Sequence, residues 1–326
     1  MKEIIISKTE DGMRLNKYLH KVFDSMPESL LYKLLRKKYF ELNDKKSEGN
    51  EILKAGDRLS IFLSDDTFEK FYKGSVSTQS KSSGIDCKSI VERIVYEDSN
   101  IIIFNKPVGM LSQGDKSNDE SANSLLKDYT NCKVNETGNV DIFKPSIVNR
   151  LDRNTEGLLI FAKTYIAAAA ISKQIQSNEI LKKYKAIING VMQKDREELV
   201  NLYRKDDKTN KAIIKELINE NNIPDGYDIV KLIYNVVKQN KDNAVLDVEL
   251  ITGKSHQIRA QLSYIGHPII CDKKYMSAEK YRQNVEEYGY KSQRLICYKV
   301  KFGKFENENL KNLSNKIFEI DCKEYK

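Results

Sequence analysis

The sequence predicts an α+β protein: a small αα-plus-hairpin unit, then a larger unit on a mixed, mainly antiparallel sheet. Three observations carry this. Before residue 64, two short segments with helical apolar spacing lead into short extended segments. A stretch rich in Ser, Gly, Lys and Thr then interrupts the pattern. Beyond it, strand-like segments outnumber helical ones and do not strictly alternate with them. The expected boundaries are 1–64 for the first unit, 65–87 for a linker and 88–326 for the second unit.

In the first unit, Leu15, Tyr18, Leu19 and Val22 share one helix face. Leu30, Leu31, Leu34 and Leu35 mark a second helix, with Ser29 a candidate N-cap and Pro27 a natural break between the two. Phe40 to Asn43 is extended, with a turn at Asn43-Asp44. A second turn at Gly56-Asp57 opens a strand in which Leu59, Ile61 and Leu63 alternate. Arg14, Lys17, Arg36, Lys37 and Lys38 lie at helix ends and polar faces. Solvated helix faces, or charges that complement a helix dipole, are the commoner roles for such residues.

In the second unit, residues 93–98 and 100–107 read as a strand pair turning at Asp98-Ser99-Asn100. A short helix is expected near Ser121–Lys127, and another after the cap Thr164. Strands are expected in KKYKAII, DIVKLIYNVV, NAVLDVELI and RLICYKVKF. Leu246, Val248 and Leu250 alternate with Asp247 and Glu249, so one sheet face is wet and antiparallel pairing follows. Residues 255–265 predict a helix capped by Ser255 and stopped by Gly266-His267-Pro268. Ile258, Leu262 and Ile265 form its buried face.

Composition narrows the function. The 326 residues suit about two domains, and 40% hydrophobic with 31% charged residues fits a folded chain. No apolar run approaches the roughly 18–20 residues of a membrane span. The N-terminus lacks a signal-peptide pattern, so a cytoplasmic protein is expected. Five cysteines, an odd and scattered set without Cys-x-x-Cys, read as free thiols. Three histidines are not spaced to grip a metal, so no metal and no cofactor are expected. The net charge of +8 suits an acidic partner without specifying one.

Three clusters invite chemistry. In Arg150-Leu151-Asp152-Arg153, nearby positive charge keeps the carboxylate ionised, ready as nucleophile or base. A surface salt bridge is the commoner meaning of those four residues alone. Residues 252–259 (TGKSHQIR) join a strand end to a helix, where backbone N–H groups meet anions. A phosphate loop needs Gly where Val248 stands, which excludes that motif. Arg259 reads equally as a helix-surface residue, and His256 as a structural first-turn residue. Lys183-Tyr184-Lys185-Ala186 sets an aromatic among basic residues; Tyr184 is either a sheet residue or a stacking platform for a base. A glycosidase pair, Asp152 and Glu156, lacks aromatic sugar platforms. A Gly-x-Ser-x-Gly elbow and Gly-x-Gly-x-x-Gly are both missing.

Together these segments resemble the RluA/RluC/RluD type of RNA pseudouridine synthase. Residues 150–159 (RLDRNTEGLL) resemble the family's His-Arg-Leu-Asp signature, and Asn105-Lys106-Pro107-Val108-Gly109 its Lys-Pro-x-Gly loop. Lys183–Ala186, residues 252–259, and His267-Pro268 with Asp272 and Tyr275 match later segments in order. Residues from about 12 to 63 resemble an S4 RNA-binding domain. The chain departs from the pattern at Asn149 (often His), Glu156 (Ser), Cys271 (Gly) and Leu295-Ile296-Cys297 (Leu-His-Ala).

The resemblance implies isomerisation of uridine within RNA. The N1–C1′ bond breaks, the uracil turns and C5 bonds to C1′, with no redox change. It makes Asp152 the essential carboxylate, attacking C1′ or acting as a base at C2′. Arg259 is its ion-pair partner. Tyr184 stacks on the target base and serves proton transfer. Arg150 fills the gap left by the flipped nucleotide. Lys106 and Lys254 touch phosphate, and Arg14, Lys17, Arg36 and Lys37 grip structured RNA. Large-subunit ribosomal RNA is the favoured substrate for a monomeric enzyme. Transfer RNA, or a non-catalytic RNA-binding role, are the alternatives.

Overall fold

The computed structural model describes residues 1–72, 90–114, 120–134, 142–220, 222–322 and 325. Residues 73–87 of the expected linker, Cys87 included, lie outside the described residues, as does the side chain of Cys132.

The N-terminal unit is a four-stranded antiparallel sheet backed by helices. Its strands are β1 (Lys2–Ile5), β2 (Phe40–Leu42), β3 (Lys45–Lys46) and β4 (Arg58–Ile61), in the order β1-β4-β2-β3. Helix α1 (Leu15–Val22) buries its whole expected stripe and α2 (Glu28–Arg36) half of it: Leu15, Tyr18, Leu19, Val22, Leu31 and Leu35 are at most 2% exposed, while Leu30 and Leu34 are half-buried against the same core. Ser29 does not cap α2. The helix starts at Glu28, and Pro27, whose ring presets φ, occupies the N-cap. Asn43 and Asp44 have φ of 50° and 65°, the paired left-handed turn that closes a two-residue hairpin.

Two elements escape the sequence pattern here. Strand β1 pairs with β4, although its alternation is too short to read. Residues 65–71, expected in the linker, form helix α3 (Asp65–Phe71). Ser64 caps it through the Thr67 N–H, and Phe68 is buried in the N-terminal core.

The second unit is one mixed sheet of eleven strands. They are β5 (Ile94–Glu97), β6 (Ile101–Lys106), β7 (Ser146–Ile147), β8 (Glu156–Ala162), β9 (Leu181–Asn189), β10 (Arg196–Asp206), β11 (Lys211–Glu216), β12 (Asp228–Gln239), β13 (Asn243–Leu250), β14 (Leu295–Lys301) and β15 (Ile317–Glu319). The order is β11-β10-β12-β13-β9-β14-β8-β6-β5, with β7 beside β8 and β15 beside β14. Every pair is antiparallel except β14–β8, so the expected sheet type holds. Helices are α4 (Ala122–Val134), α5 (Tyr165–Gln176), α6 (Gln257–Tyr264) and α7 (Ala278–Tyr288).

The hairpin β10–β11 and helix α7 carry no clear sequence signal. Charged residues interrupt the alternation of β10, and α7 buries only Asn284. Ser255 does not cap α6 either; His256 stands there in a left-handed conformation, φ 57°.

The parallel β14–β8 contact dictates one glycine. Cys297 pairs with Gly157 on one side and Tyr184 on the other, and Gly157 pairs with Lys106. Gly157 has φ +120°, and a Cβ there would lie 2.2 Å from the Cys297 carbonyl oxygen. Residues paired across neighbouring strands present their side chains on one face. Lys106, Cys297 and Tyr184 therefore form a row beneath the loop that precedes β8.

The two units touch directly. The buried Glu10 carboxylate accepts the backbone N–H groups of Ile142 (2.6 Å) and Phe143 (3.0 Å). Phe143 enters the N-terminal core, and the Tyr165 N–H reaches the Thr9 carbonyl. Lys17 lies over the Tyr165 ring, 4.9 Å from its centre.

Candidate active site

The loop 149–155 is tied down atom by atom. Asn149, where the resembling family often has His, accepts the Ile160 N–H at 2.7 Å and donates to the Leu158 carbonyl. It thus bonds the backbone of β8. Ser112 Oγ accepts the Leu151 N–H and donates to the Leu151 carbonyl. The Thr155 N–H closes a turn on the Asp152 carbonyl, and Gln293 donates to the Thr155 hydroxyl. Such bonds hold a reacting group in one geometry before substrate arrives.

Lys106 supplies the last tie, which corrects one expectation. Its side chain is fully buried, and Nζ donates to the carbonyls of Pro107 (3.0 Å), Met110 (2.9 Å) and Arg153 (3.0 Å). A lysine so placed does not reach a phosphate. Burial lowers its pKa to about 8, against the opposing pull of Asp152 and Glu156. Lys106 pins the Lys-Pro-x-Gly loop to the Asp152 loop.

Asp152 meets Arg259 across this loop, as the resemblance implies. Arg259 Nη1 donates to Asp152 Oδ2 at 2.8 Å. Nε and Nη2 of the same guanidinium form a two-pronged bond with Asp272, at 2.7 and 2.8 Å. Asp272 is fully buried and Arg259 only 6% exposed. Burial works against the Arg259 charge, but Asp272 and Asp152 outweigh it and raise its pKa further. Neither Arg150 nor Arg153, the neighbours in sequence, pairs with Asp152. Arg150 is exposed and makes no hydrogen bond or ion pair among the described residues. Arg153 donates to the Gly109 carbonyl.

Tyr184 sits in the sheet below, 6% exposed. Burial first, then the neighbouring Cys297 and the charge of Asp152, push its pKa well above the usual value. It is a neutral phenol at physiological pH. Lys254 is exposed and pairs with Asp228 at 2.7 Å, so a phosphate must compete with that carboxylate. Arg14, Lys17, Arg36 and Lys37 are all exposed on the N-terminal unit.

Three contributors to the site went unassigned in the sequence: Asp272, Ser112 and the pair His256–Tyr275. Asp272 and Tyr275 are visible only as members of a motif. Ser112 carries no local signal, because its partner is 39 residues away. Among the described residues no group of three or more His, Cys, Asp or Glu is arranged to hold a metal ion. No helix among them is long and apolar enough to cross a membrane.

A family model for RNA pseudouridylate synthase matches residues 100–264, the segment that contains this constellation. A ribosomal large subunit pseudouridine synthase C of Rickettsia bellii is 30% identical over 282 residues, 83% of this chain and 85% of that protein. An uncharacterised RNA pseudouridine synthase of Mycoplasma genitalium is 28% identical over 319 residues, 96% of this chain and 93% of that protein. The solved human RNA pseudouridylate synthase domain containing 4 shares the fold, with a TM-score of 0.52 at 20% identity, over 66% of this chain and 85% of that one. The chain belongs to the RNA pseudouridylate synthase family. It is an enzyme that isomerises uridine to pseudouridine in RNA.

Proposed function

We propose that the substrate is large-subunit ribosomal RNA and that Asp152 is the essential carboxylate. The observation that carries the site assignment is the 2.8 Å contact of Arg259 with Asp152, on a guanidinium already held by Asp272. A charge braced from two sides orients the carboxylate without taking part in the reaction. Both close contacts of Asp152, Arg259 at 2.8 Å and His256 at 3.9 Å, fall on Oδ2. Oδ1 has no protein partner among the described residues and is the oxygen offered to the substrate, at C1′ or C2′. Tyr184, a neutral phenol near that carboxylate, serves as the proton-carrying group beside the base. Arg150 is the unpaired arginine that occupies the gap left by the flipped nucleotide.

The ribosomal reading is supported by relatives named for the ribosomal large subunit, which match over most of their length. Residues 1–64, with helix α3 packed on their core, act as an S4-like RNA-binding domain, and residues 88–326 as the catalytic domain. Arg14, Lys17, Arg36 and Lys37 contact phosphates, and Lys254 does so after releasing Asp228. The enzyme works as a cytoplasmic monomer.

Pseudouridine mapping of total RNA from cells with and without the gene tests this. Defined sites in large-subunit RNA should vanish and return with wild type, not with Asp152→Asn. Loss of sites in transfer RNA alone would move the substrate assignment there.

A further inference from the structure

His256 is a mostly buried side chain beside Asp152 to which the reaction above gives no task. Its ring is 12% exposed, with Nε2 3.9 Å from Asp152 Oδ2 and Nδ1 3.0 Å from Tyr275 Oη. The Tyr275 hydroxyl already accepts the Ala212 N–H at 2.7 Å, from the second residue of β11. A phenol has one proton to donate. If His256 carried its proton on Nδ1, Tyr275 would accept twice and its own O–H would be left in a half-buried site without an acceptor, which is costly. If Tyr275 donates instead, Nδ1 accepts, and the neutral ring carries its proton on Nε2. That proton then points toward the carboxylate. The other end of the ring agrees, since a bare nitrogen lone pair facing a carboxylate is repelled.

We propose that His256 is a positioning residue for Asp152. Tyr275 holds it in the neutral Nε2–H form, and it works with Arg259 to occupy Oδ2 so that Oδ1 meets the substrate. The inference rests on the reading of Asp152 as the essential carboxylate. Its geometry comes from four separate segments: the loop before β8 (Asp152), the entry to α6 (His256), the stretch between α6 and α7 (Tyr275) and the hairpin β10–β11 (Ala212). At 3.9 Å the contact is electrostatic in the free enzyme; catalytic hydrogen bonds are often long before substrate binds and tighten afterwards.

The surroundings keep the ring neutral. Burial lowers its pKa to about 4; Arg259 and Lys274 push the same way, while Asp152 and Asp272 oppose. Tyr275 keeps its proton because burial raises its pKa to about 12. The left-handed backbone at His256, φ 57°, is a second sign that the position is constrained. The ring makes no helix-capping hydrogen bond, so it is left to its contacts with Tyr275 and Asp152.

The chain holds three histidines, so imidazole nitrogen resonances can be assigned one by one. Long-range 1H–15N spectra of the full-length protein at pH 7 should show His256 neutral with its proton on Nε2. In Tyr275→Phe that preference should disappear. A wild-type ring protonated on Nδ1, or charged at pH 7, would overturn the proposal.

Single-turnover rates on an RNA transcript that the wild type converts give the functional arm. His256→Ala and Tyr275→Phe should each slow conversion about tenfold, with RNA affinity within twofold of wild type. His256→Gln, whose amide keeps an N–H donor toward Asp152, should recover most of the rate. A His256→Ala rate within twofold of wild type, or a folded His256→Gln as slow as His256→Ala, would also overturn it. If the wild type itself makes no pseudouridine, the enzyme reading fails separately, and the spectra still decide the histidine geometry.

Discussion

At the scale of single residues, one arginine makes the candidate site electrostatically coherent. Arg259 holds Asp272 with two nitrogens and Asp152 with the third, so neutralising Asp152 leaves the arginine paired. Asp152→Asn should therefore fold and bind RNA nearly as wild type does, and lose turnover. Pseudouridine formation within tenfold of wild type would end its role as the essential group. Asp272→Asn is expected to do worse for folding, because a buried cation loses its bracing partner, a loss of about 3–5 kcal/mol in comparable buried pairs.

Lys106 offers a sharper contrast between a phosphate contact and a loop tie. Lys106→Met removes donors from three carbonyls and should cost roughly 2–4 kcal/mol of stability, while leaving the salt dependence of RNA binding unchanged. A salt slope lowered by about one unit would restore the phosphate role. Proton linkage supplies a second test. Between the folded pKa of about 8 and the ordinary 10.5, the unfolded chain binds more protons at this lysine than the folded one. Stability from this group therefore rises with pH across that window and is lower below it. Denaturant midpoints of wild type minus Lys106→Met, taken from pH 7.5 to 10, should increase; a flat difference contradicts the burial of the charge.

At the scale of elements, the β8–β14 pair and the N-terminal helices matter most. Gly157→Ala drives a methyl into the Cys297 carbonyl and parts the only parallel pair among the described strands. A melting scan should show a loss of about 2–4 kcal/mol, with activity falling as the loop that starts β8 shifts. A wild-type melting temperature would mean the strands can slide apart cheaply. On the N-terminal unit, replacing both Arg36 and Lys37 with Ala should weaken RNA affinity and flatten its salt dependence. Both are exposed at the end of α2, Arg36 as its last residue and Lys37 as its C-cap. An unchanged slope would return them to ordinary solvated helix ends.

The elements also show what a linear pattern can carry. Helices α1, α2 and α5 and strands β9, β12 and β13 were legible because each buries one regular face and its side chains record the period, and β6 because it is a short unbroken apolar run buried on both faces. Strands β10 and β11 were not, since charged side chains break up an alternation that only the neighbouring β12 makes sense of. Helix α7 was missed for a related reason: it presents almost no apolar stripe. The cap of α6 was misassigned because Ser255 has the right chemistry for a cap, whereas the backbone turns one residue later at His256.

At the scale of the whole molecule, the N-terminal unit is docked on the synthase fold. Glu10 is the polar centre of that contact, 2% exposed and bonded to two backbone N–H groups just ahead of β7. Glu10→Ala leaves those groups unsatisfied. It should loosen the docking, seen as faster protease cleavage near residues 142–143 and a melting transition that divides in two. A single unchanged transition would show that the apolar contacts around Phe143 suffice alone. The docked segment leads into β7, which pairs with the Ala162 end of β8, whereas the Asp152 loop enters β8 at its Glu156 end.

Taken by itself, the amino-acid sequence determined the α+β class and the family resemblance, and it marked Asp152, Tyr184 and Arg259 as the candidates for the site. Those depend on residue type, local period and the order of motifs, all of which are properties of a line. The tertiary structure decided which charges meet. It paired Asp152 with Arg259, 107 residues away, rather than with the arginines beside it. It also buried Lys106 under three carbonyls and set His256 between Tyr275 and the carboxylate. Hydrogen bonds and ion pairs act over about 3 Å in space, and only the folded sheet brings residues so far apart in sequence to that range.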